Sequence, residues 1–425
     1  MLAKLAVAVI AALVAAAAGA GLIFAAALEG WGRPAAAERA DVAAFLAAMN
    51  QRLDAHKTGN AAFLLIEAGE PVGEHFVSKG APVDRDTLFQ VASLSKWATA
   101  WGVMTLVERG AIDLDAPVSK YLTRWSLPPS EFDNDKVTVR RLLSHLAGLS
   151  DGLGYAGFEQ GAPMPTLEES LTRASDASPG ADGRVRVGEE PGSKFEYSGG
   201  GYTLLQLLIE ETSGQSFNDY MEGAVFGPLG MSSSTFVPDA GAEARIAEIY
   251  GADGALAARR NFVSLAATSL YTSSADMARF VAAHRPGAAG EPAGRGVLKP
   301  GTLKAMRAPE ASVFGAAIWG LGVILYADNN RGDYIIGHDG SNEPAINTSV
   351  RLDPDTGDGV VVLETGDKLL ASRLAGDWVF WKTGHVDTLT VIAEFRGTMR
   401  KAAIAGAAGF LLAFASVFLV TRRRA

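Results

Sequence analysis

Ser93 stands three residues before Lys96, inside Phe89-Gln90-Val91-Ala92-Ser93-Leu94-Ser95-Lys96-Trp97. Residues three apart share a helix face, so this spacing brings a lysine amine to a serine oxygen. A serine hydroxyl is a weak nucleophile until a neighbouring base or cation eases its deprotonation. Residues 91–107 read as an apolar helix with Ser93 in its first turn. Free N–H groups and the positive helix end favour an oxyanion there. The chemistry on offer is acyl transfer through serine. The plain alternative is an N-capping serine beside a surface lysine, and the rest of the chain decides between them.

Three further segments carry polar groups that bear on this. Phe195-Glu196-Tyr197-Ser198-Gly199-Gly200-Gly201-Tyr202 leads into a helix. A tyrosine at such an entry, near cations, suits proton transfer, while the plain alternative is a packed aromatic at a glycine-rich helix start. Gly337-His338-Asp339-Gly340-Ser341 closes an expected strand. Gly340 permits close approach of backbone to a substrate. The N–H groups of Ser341 and Ser93 together could make an oxyanion hole. His338 taken alone reads equally well as a satisfied strand-end histidine. In Val137-Thr138-Val139-Arg140-Arg141-Leu142-Leu143-Ser144-His145-Leu146, His145 reads as structural, because Leu142, Leu143 and Leu146 already define the apolar face of its helix.

These groups need elements to hold them. Residues 38–56 read as an amphipathic helix, and 61–68 and 74–78 as paired strands around a glycine-proline turn. Helical patterns dominate from 137 to about 247, notably 139–146 and 201–212. The stretch 151–190 is rich in Gly, Pro, Ser and Ala and reads as a loop or lid. Short alternating strands return at 319–326, 333–337, 346–352 and 359–363, and 368–383 reads as a helix. The fold class is therefore α/β of the α+β type. A mostly antiparallel sheet flanked by helices is built from both ends of a domain at 37–395, with a helical insert at about 116–260.

The chain has 425 residues, 48% of them hydrophobic, and a formal charge of −9. That charge argues against nucleic acid as a partner. Cysteine is absent, which excludes disulfides and thiolate metal sites. The six histidines show no metal-ligand spacing, so neither metal nor cofactor is expected. Asp353-Pro354-Asp355-Thr356-Gly357-Asp358-Gly359 fails the calcium-loop pattern at its fifth and sixth positions and reads as a hairpin turn. Residues 5–28 and 402–420 carry no charge, and each is long enough to cross a bilayer core of about 30 Å. A signal peptide is the rival reading of 5–28, but signal cores run only about 7–15 residues. Lys4 and Arg422-Arg423-Arg424 place both ends in the cytoplasm by the positive-inside rule, leaving the residues between on the outer side of the inner membrane.

The order S-x-x-K, R-x-L-L-S-H-x-A-G-L, Tyr-Ser-x-Gly-Gly-Tyr and H-x-G resembles the serine β-lactamase and penicillin-binding-protein superfamily, in its class C-like branch. The resemblance covers roughly residues 40–385. Leu114-Asp115-Ala116-Pro117-Val118-Ser119-Lys120-Tyr121-Leu122 and Tyr271-Thr272-Ser273-Ser274-Ala275-Asp276-Met277 agree with it. It implies that Ser93 is the acylated nucleophile, that Lys96 helps to activate it and that Tyr197 shuttles protons to the leaving group. It sets His338 where the family has the lysine of K-T-G, able to serve electrostatically in its place, and gives Ser341 the second oxyanion N–H. Gly199 departs from the pattern, because class C has asparagine there to contact the amide of lactam substrates.

Two rival motifs are set aside. Lys382-Thr383-Gly384 is a literal K-T-G, but it ends a helix after the sheet is complete, with Gly384 as C-cap. Gly148-Leu149-Ser150-Asp151-Gly152 fits a nucleophile elbow without the strand-turn-helix setting. The implied function is a membrane-anchored serine hydrolase acting on small esters or on peptides and amides with D-residues, cell-wall peptides among them. A β-lactamase or D-alanyl-D-alanine carboxypeptidase is the enzyme alternative. A non-catalytic penicillin or muropeptide sensor is the binding alternative.

Overall fold

The computed structural model describes residues 2–152 and 154–423. Its centre is an eight-stranded sheet. The strands are β1 (Ala61–Glu67), β2 (Glu70–Val77), β3 (Ala311–Val313), β4 (Ala316–Trp319), β5 (Ile324–Asp328), β6 (Tyr334–Asn342), β7 (Ile346–Leu352) and β8 (Gly359–Thr365). Their order is β2-β1-β8-β7-β6-β5-β4-β3, and every pairing is antiparallel. The N-terminal hairpin thus inserts its β1 beside the last strand of the chain. β7 and β8 are buried along their whole length, which explains their near-continuous apolar runs.

Two layers cover the sheet. On one face lie α2 (Val42–Asp54) and α7 (Leu370–Thr383), where Phe45 stacks on Trp381 at 4.3 Å and Leu374, Trp378 and Val379 reach Phe63, Val360 and Val362. On the other face lie α3 (Ser95–Glu108), α4 (Val139–Leu143), α5 (Leu167–Arg173) and α6 (Gly199–Ser213), together with shorter helices. All four fall between β2 and β3 in the chain. A sheet antiparallel throughout, with helices gathered between its two contributing halves in the chain, is the α+β architecture expected.

Several local expectations need correction. Residues 319–326 are two strands, because Gly322 takes a φ of +75° and turns the chain between β4 and β5. The strand expected at 333–337 runs on to Asn342, so His338 lies inside a strand and not at its end. The helix expected over 139–146 stops at Leu143. There the Leu143 carbonyl is taken by the Trp319 indole (3.2 Å), the Tyr202 hydroxyl (3.2 Å) and the Gly322 N–H (3.0 Å). The stretch 151–190 contains α5, started by a capping box between Thr166 and Glu169, and it buries Tyr155 against α6.

The two apolar ends form α1 (Leu2–Glu29) and α8 (Thr388–Arg423), both long and apolar enough to cross a membrane. They pack antiparallel. Gly19 lies against the Ala405 carbonyl, and Gly406 and Gly409 lie against the carbonyls of Ala16 and Ala15. Their outward residues, among them Ile10, Leu13, Val14, Leu411 and Leu412, stay exposed. Arg424 lies outside the described residues, as do the side chains of Lys4, Arg422 and Arg423.

Candidate active site

Ser93 sits in a short 3₁₀ turn, Ala92–Leu94, which feeds directly into α3. Ala92 takes a φ of +47°, a conformation that costs an L-residue about 1–2 kcal/mol. Neighbours hold it there. The Ser95 hydroxyl donates to the Ala92 carbonyl at 2.6 Å and accepts from the Leu270 N–H at 2.9 Å. The Val91 carbonyl accepts from the Leu94 N–H (3.2 Å) and the Thr348 hydroxyl (2.8 Å). Lys96 is buried, and its Nζ donates to Ser93 Oγ at 3.1 Å and to the Ala267 carbonyl at 2.7 Å. The three-residue spacing does what the sequence led us to expect of it.

Tyr197 approaches from the N-terminus of α6. Its ring centroid lies 5.0 Å from Lys96 Nζ, and that of Tyr202 lies 5.5 Å away. The Tyr197 segment is held on both sides. The Ser198 hydroxyl caps α6 by accepting from the Gly201 N–H, and it donates to the buried Asp151, whose other oxygen accepts from the Gly200 N–H at 2.7 Å. Burial pushes the Asp151 carboxyl up. His145, just past α4 with a φ of +57°, supplies the second clamp. Its carbonyl accepts from the Glu196 N–H at 2.9 Å and its Nδ1 accepts from the Ser198 N–H at 3.1 Å, so it brackets Tyr197. The His145 ring lies 4.3 Å from that of Tyr197 and 4.7 Å from that of Trp319. His145 is therefore a positioning residue at the site, beyond the reach of the helix-face argument. Asp151 and Trp319 were not singled out in the sequence. The signal available for Asp151 was its place just before the glycine-rich loop.

β6 forms the opposite wall. β5 pairs with it only as far as Gly337, so from His338 onward its outer edge has no strand partner and faces the Ser93 turn. Gly340 is required here for a different reason from the one expected. A Cβ on it would lie 2.0 Å from the Val91 carbonyl oxygen, so it admits the neighbouring backbone and not a substrate. Ser341 follows, exposed, on the same edge. His338 is buried and touches the Trp319 ring at 5.4 Å. Its Nδ1 donates to the Asp339 carbonyl at 2.6 Å, which leaves Nε2 as an unpartnered acceptor. Burial and the nearby Lys96 cation push the His338 imidazole down to about 3. It is neutral, and it does not replace a lysine electrostatically. The His145 Nε2–H is the matching unpartnered donor, and burial likewise holds that ring neutral.

Gly199 is buried, and a Cβ there would stand 3.0 Å from the Tyr155 ring. Tyr155 is fixed through its hydroxyl to Thr203 at 2.7 Å, so it fills the direction a side chain at 199 would take. Lys382 is occupied elsewhere, paired with Glu67 (2.7 Å) and Asp358 (3.0 Å) at the end of α7, and Gly384 is the left-handed C-cap of that helix.

The family model described as Beta-lactamase matches residues 45–380. The chain belongs to this family. Penicillin-binding protein 4 of Amycolatopsis lactamdurans is 29% identical over 301 residues, covering 68% of this chain and 74% of that one. Esterase EstB of Burkholderia gladioli is 32% identical over 168 residues, covering 37% of this chain and 41% of the esterase. The chain thus spans well under half the length of some curated relatives it matches. Among solved structures, the octameric penicillin-binding protein homologue from Pyrococcus abyssi superposes with a TM-score of 0.66 at 26% identity, covering 81% of this chain and 78% of that one. This beta-lactamase-family fold carries both penicillin-binding and esterase relatives.

Proposed function

We propose that the chain is a membrane-anchored serine hydrolase that forms an acyl-enzyme on Ser93. The observation that carries this is the buried Lys96 amine 3.1 Å from Ser93 Oγ, set across from the open edge of β6. Ser93 Oγ attacks the substrate carbonyl, and Lys96 lowers the cost of the alkoxide. Tyr197 takes up the Ser93 hydroxyl proton and passes it to the departing group, and the N–H groups of Ser93 and Ser341 receive the oxyanion. Water then cleaves the acyl-enzyme and frees the serine. The hydrolase domain occupies about 37–395, with its helical insert at about 116–260.

The substrate class follows from His338. A lysine at that place offers a cation to a substrate carboxylate, whereas this neutral imidazole offers only an acceptor nitrogen. Neutral esters, or amides and peptides with D-residues lacking a nearby carboxylate, fit best. The filled position beside Gly199 and the absent cation both weigh against efficient β-lactam or D-alanyl-D-alanine hydrolysis. The exposed apolar faces of α1 and α8 support a bilayer anchor, with both termini on the cytoplasmic side and the site on the outer side of the inner membrane.

Intact-mass analysis after exposure to a fluorophosphonate, a short-chain aryl ester and a penicillin tests this. The first two should leave one adduct, mapped to Ser93 and missing in Ser93→Ala, with little or none from penicillin. Labelling that survives Ser93→Ala would remove the assignment.

A further inference from the structure

Residues 338 and 339 lie side by side on β6, and strand alternation sends them to opposite faces of the sheet. His338 faces Lys96, while Asp339 faces α7 and α8. On that second face Arg351 of β7 is completely buried. Its Nη1 donates to Asp339 Oδ1 and, at 2.7 Å, to the Ser349 hydroxyl. Its Nε donates to Asp387 Oδ2 at 2.7 Å. Asp339 accepts further hydrogen bonds from Ser372 (2.6 Å), Ser349 (2.7 Å) and Tyr326 (3.2 Å). The guanidinium lies 3.4 Å from the Tyr326 ring centroid.

Asp387 is at the same time the cap of α8. Its Oδ1 accepts from the N–H groups of Leu389 (2.8 Å) and Thr390 (3.2 Å). The next residue, Thr388, donates its hydroxyl to the Tyr326 carbonyl of β5 at 2.7 Å. On the site side, the Asp339 carbonyl fixes His338 Nδ1, and Asn347 links Ser372 to the Gly340 carbonyl. A continuous set of hydrogen bonds therefore joins the first turn of α8 to the strand that faces Ser93.

We propose that Asp387 and Arg351 are positioning residues that make the C-terminal helix part of the framework of the active site, rather than a tether attached to a finished domain. The physical reason is that a buried guanidinium shared by the buried Asp387 and the largely buried Asp339 carboxylates holds each where it is. Loss of one carboxylate frees the arginine to recentre on the other, and β6 shifts with it. This inference rests on reading the β6 edge as the oxyanion side of Ser93 chemistry.

The test uses full-length protein and an aryl ester, with active sites counted by fluorophosphonate titration so that unfolded molecules drop out. Asp387→Ala should lower kcat per titrated site by at least about 10-fold with KM little changed, since a misplacement near 1 Å can cost about 10²-fold. Asp387→Asn keeps the cap and an acceptor for Arg351, and should restore most of the rate. Asp377→Ala is the control. It removes a carboxylate on the same helix layer that pairs with Arg52 and Arg33 and, among the described residues, has no hydrogen bond to β6, and kcat should stay unchanged. Unchanged kcat in Asp387→Ala, or an equal loss in Asp377→Ala, would overturn the coupling. A wild-type chain that no reagent acylates would instead overturn the reading of the site, and the coupling with it.

Discussion

The two faces of β6 bury polar groups in opposite ways. On the Ser93 face, His338 Nε2 and His145 Nε2 are buried without partners, and both rings are held neutral. On the α7–α8 face, Arg351 and Asp387 are fully buried and Asp339 nearly so, the three are paired with one another, and among them only Arg351 Nη2 lacks a partner. A buried charge is tolerated only when it is paired, so the second face is committed to one arrangement. A buried neutral group without a partner costs less and remains available to a ligand. The contrast separates a face left free to bind from the face that fixes the strand.

The largest effect expected is on the paired face. Arg351→Met leaves the buried Asp387 and the largely buried Asp339 without their cation and should destabilise the protein by about 3–5 kcal/mol in denaturant titration. A loss below about 1 kcal/mol would mean that the trio is well solvated. On the open face the effects fall on rate. Lys96→Ala and Tyr197→Phe should each slow acylation at least about 10²-fold, the usual scale for a positioned acid–base group. The double variant should be little worse than either single one, and simple multiplication of the two losses would show that they do not act together.

His338→Leu should lower turnover about 10-fold, the scale of one hydrogen bond, and cost about 1 kcal/mol of stability as the Asp339 carbonyl loses its Nδ1–H donor. Lys382→Ala should leave turnover intact and cost only stability. The smallest effect concerns His284, packed against Trp97, Trp101 and Phe280 and pushed down to about 4 by burial. The unfolded chain takes up a proton near pH 6.5 and the folded one does not, so stability falls as pH drops below that value. Between pH 6.5 and 5.5 the wild type should lose about 1 kcal/mol relative to His284→Phe. Parallel stability curves for the two would show that His284 is solvated.

Much of the site was legible because its signals are local. The Ser93–Lys96 contact follows from helix spacing, and the capping Ser198 before three glycines marks where Tyr197 enters. The hairpin of β7 and β8 is readable because its apolar runs are bounded by Asp and Gly turns. What was not legible depends on groups far apart in the chain. His145 works as a clamp only because α4 ends early, and it ends where Trp319, Tyr202 and Gly322 compete for the Leu143 carbonyl. The break between β4 and β5 hid within an apolar run. The neutrality of His338 depends on burial and on Lys96 across the cleft, so a motif that places a histidine where lysine stands in relatives says nothing of its charge.

The contact of Gly340 with the Val91 carbonyl also sets an order of events in time. At about 5–20 residues per second, the serine turn leaves the ribosome roughly 12–50 s before Gly340 does. During that interval the Ser93 turn has no opposite wall, and neither the Thr348 hydroxyl nor the β6 backbone is there to hold Ala92 in its left-handed conformation. A nascent chain therefore carries the serine and the lysine without a working pair. On the function proposed above, reactivity arrives late and all at once, when the last three strands close on the first.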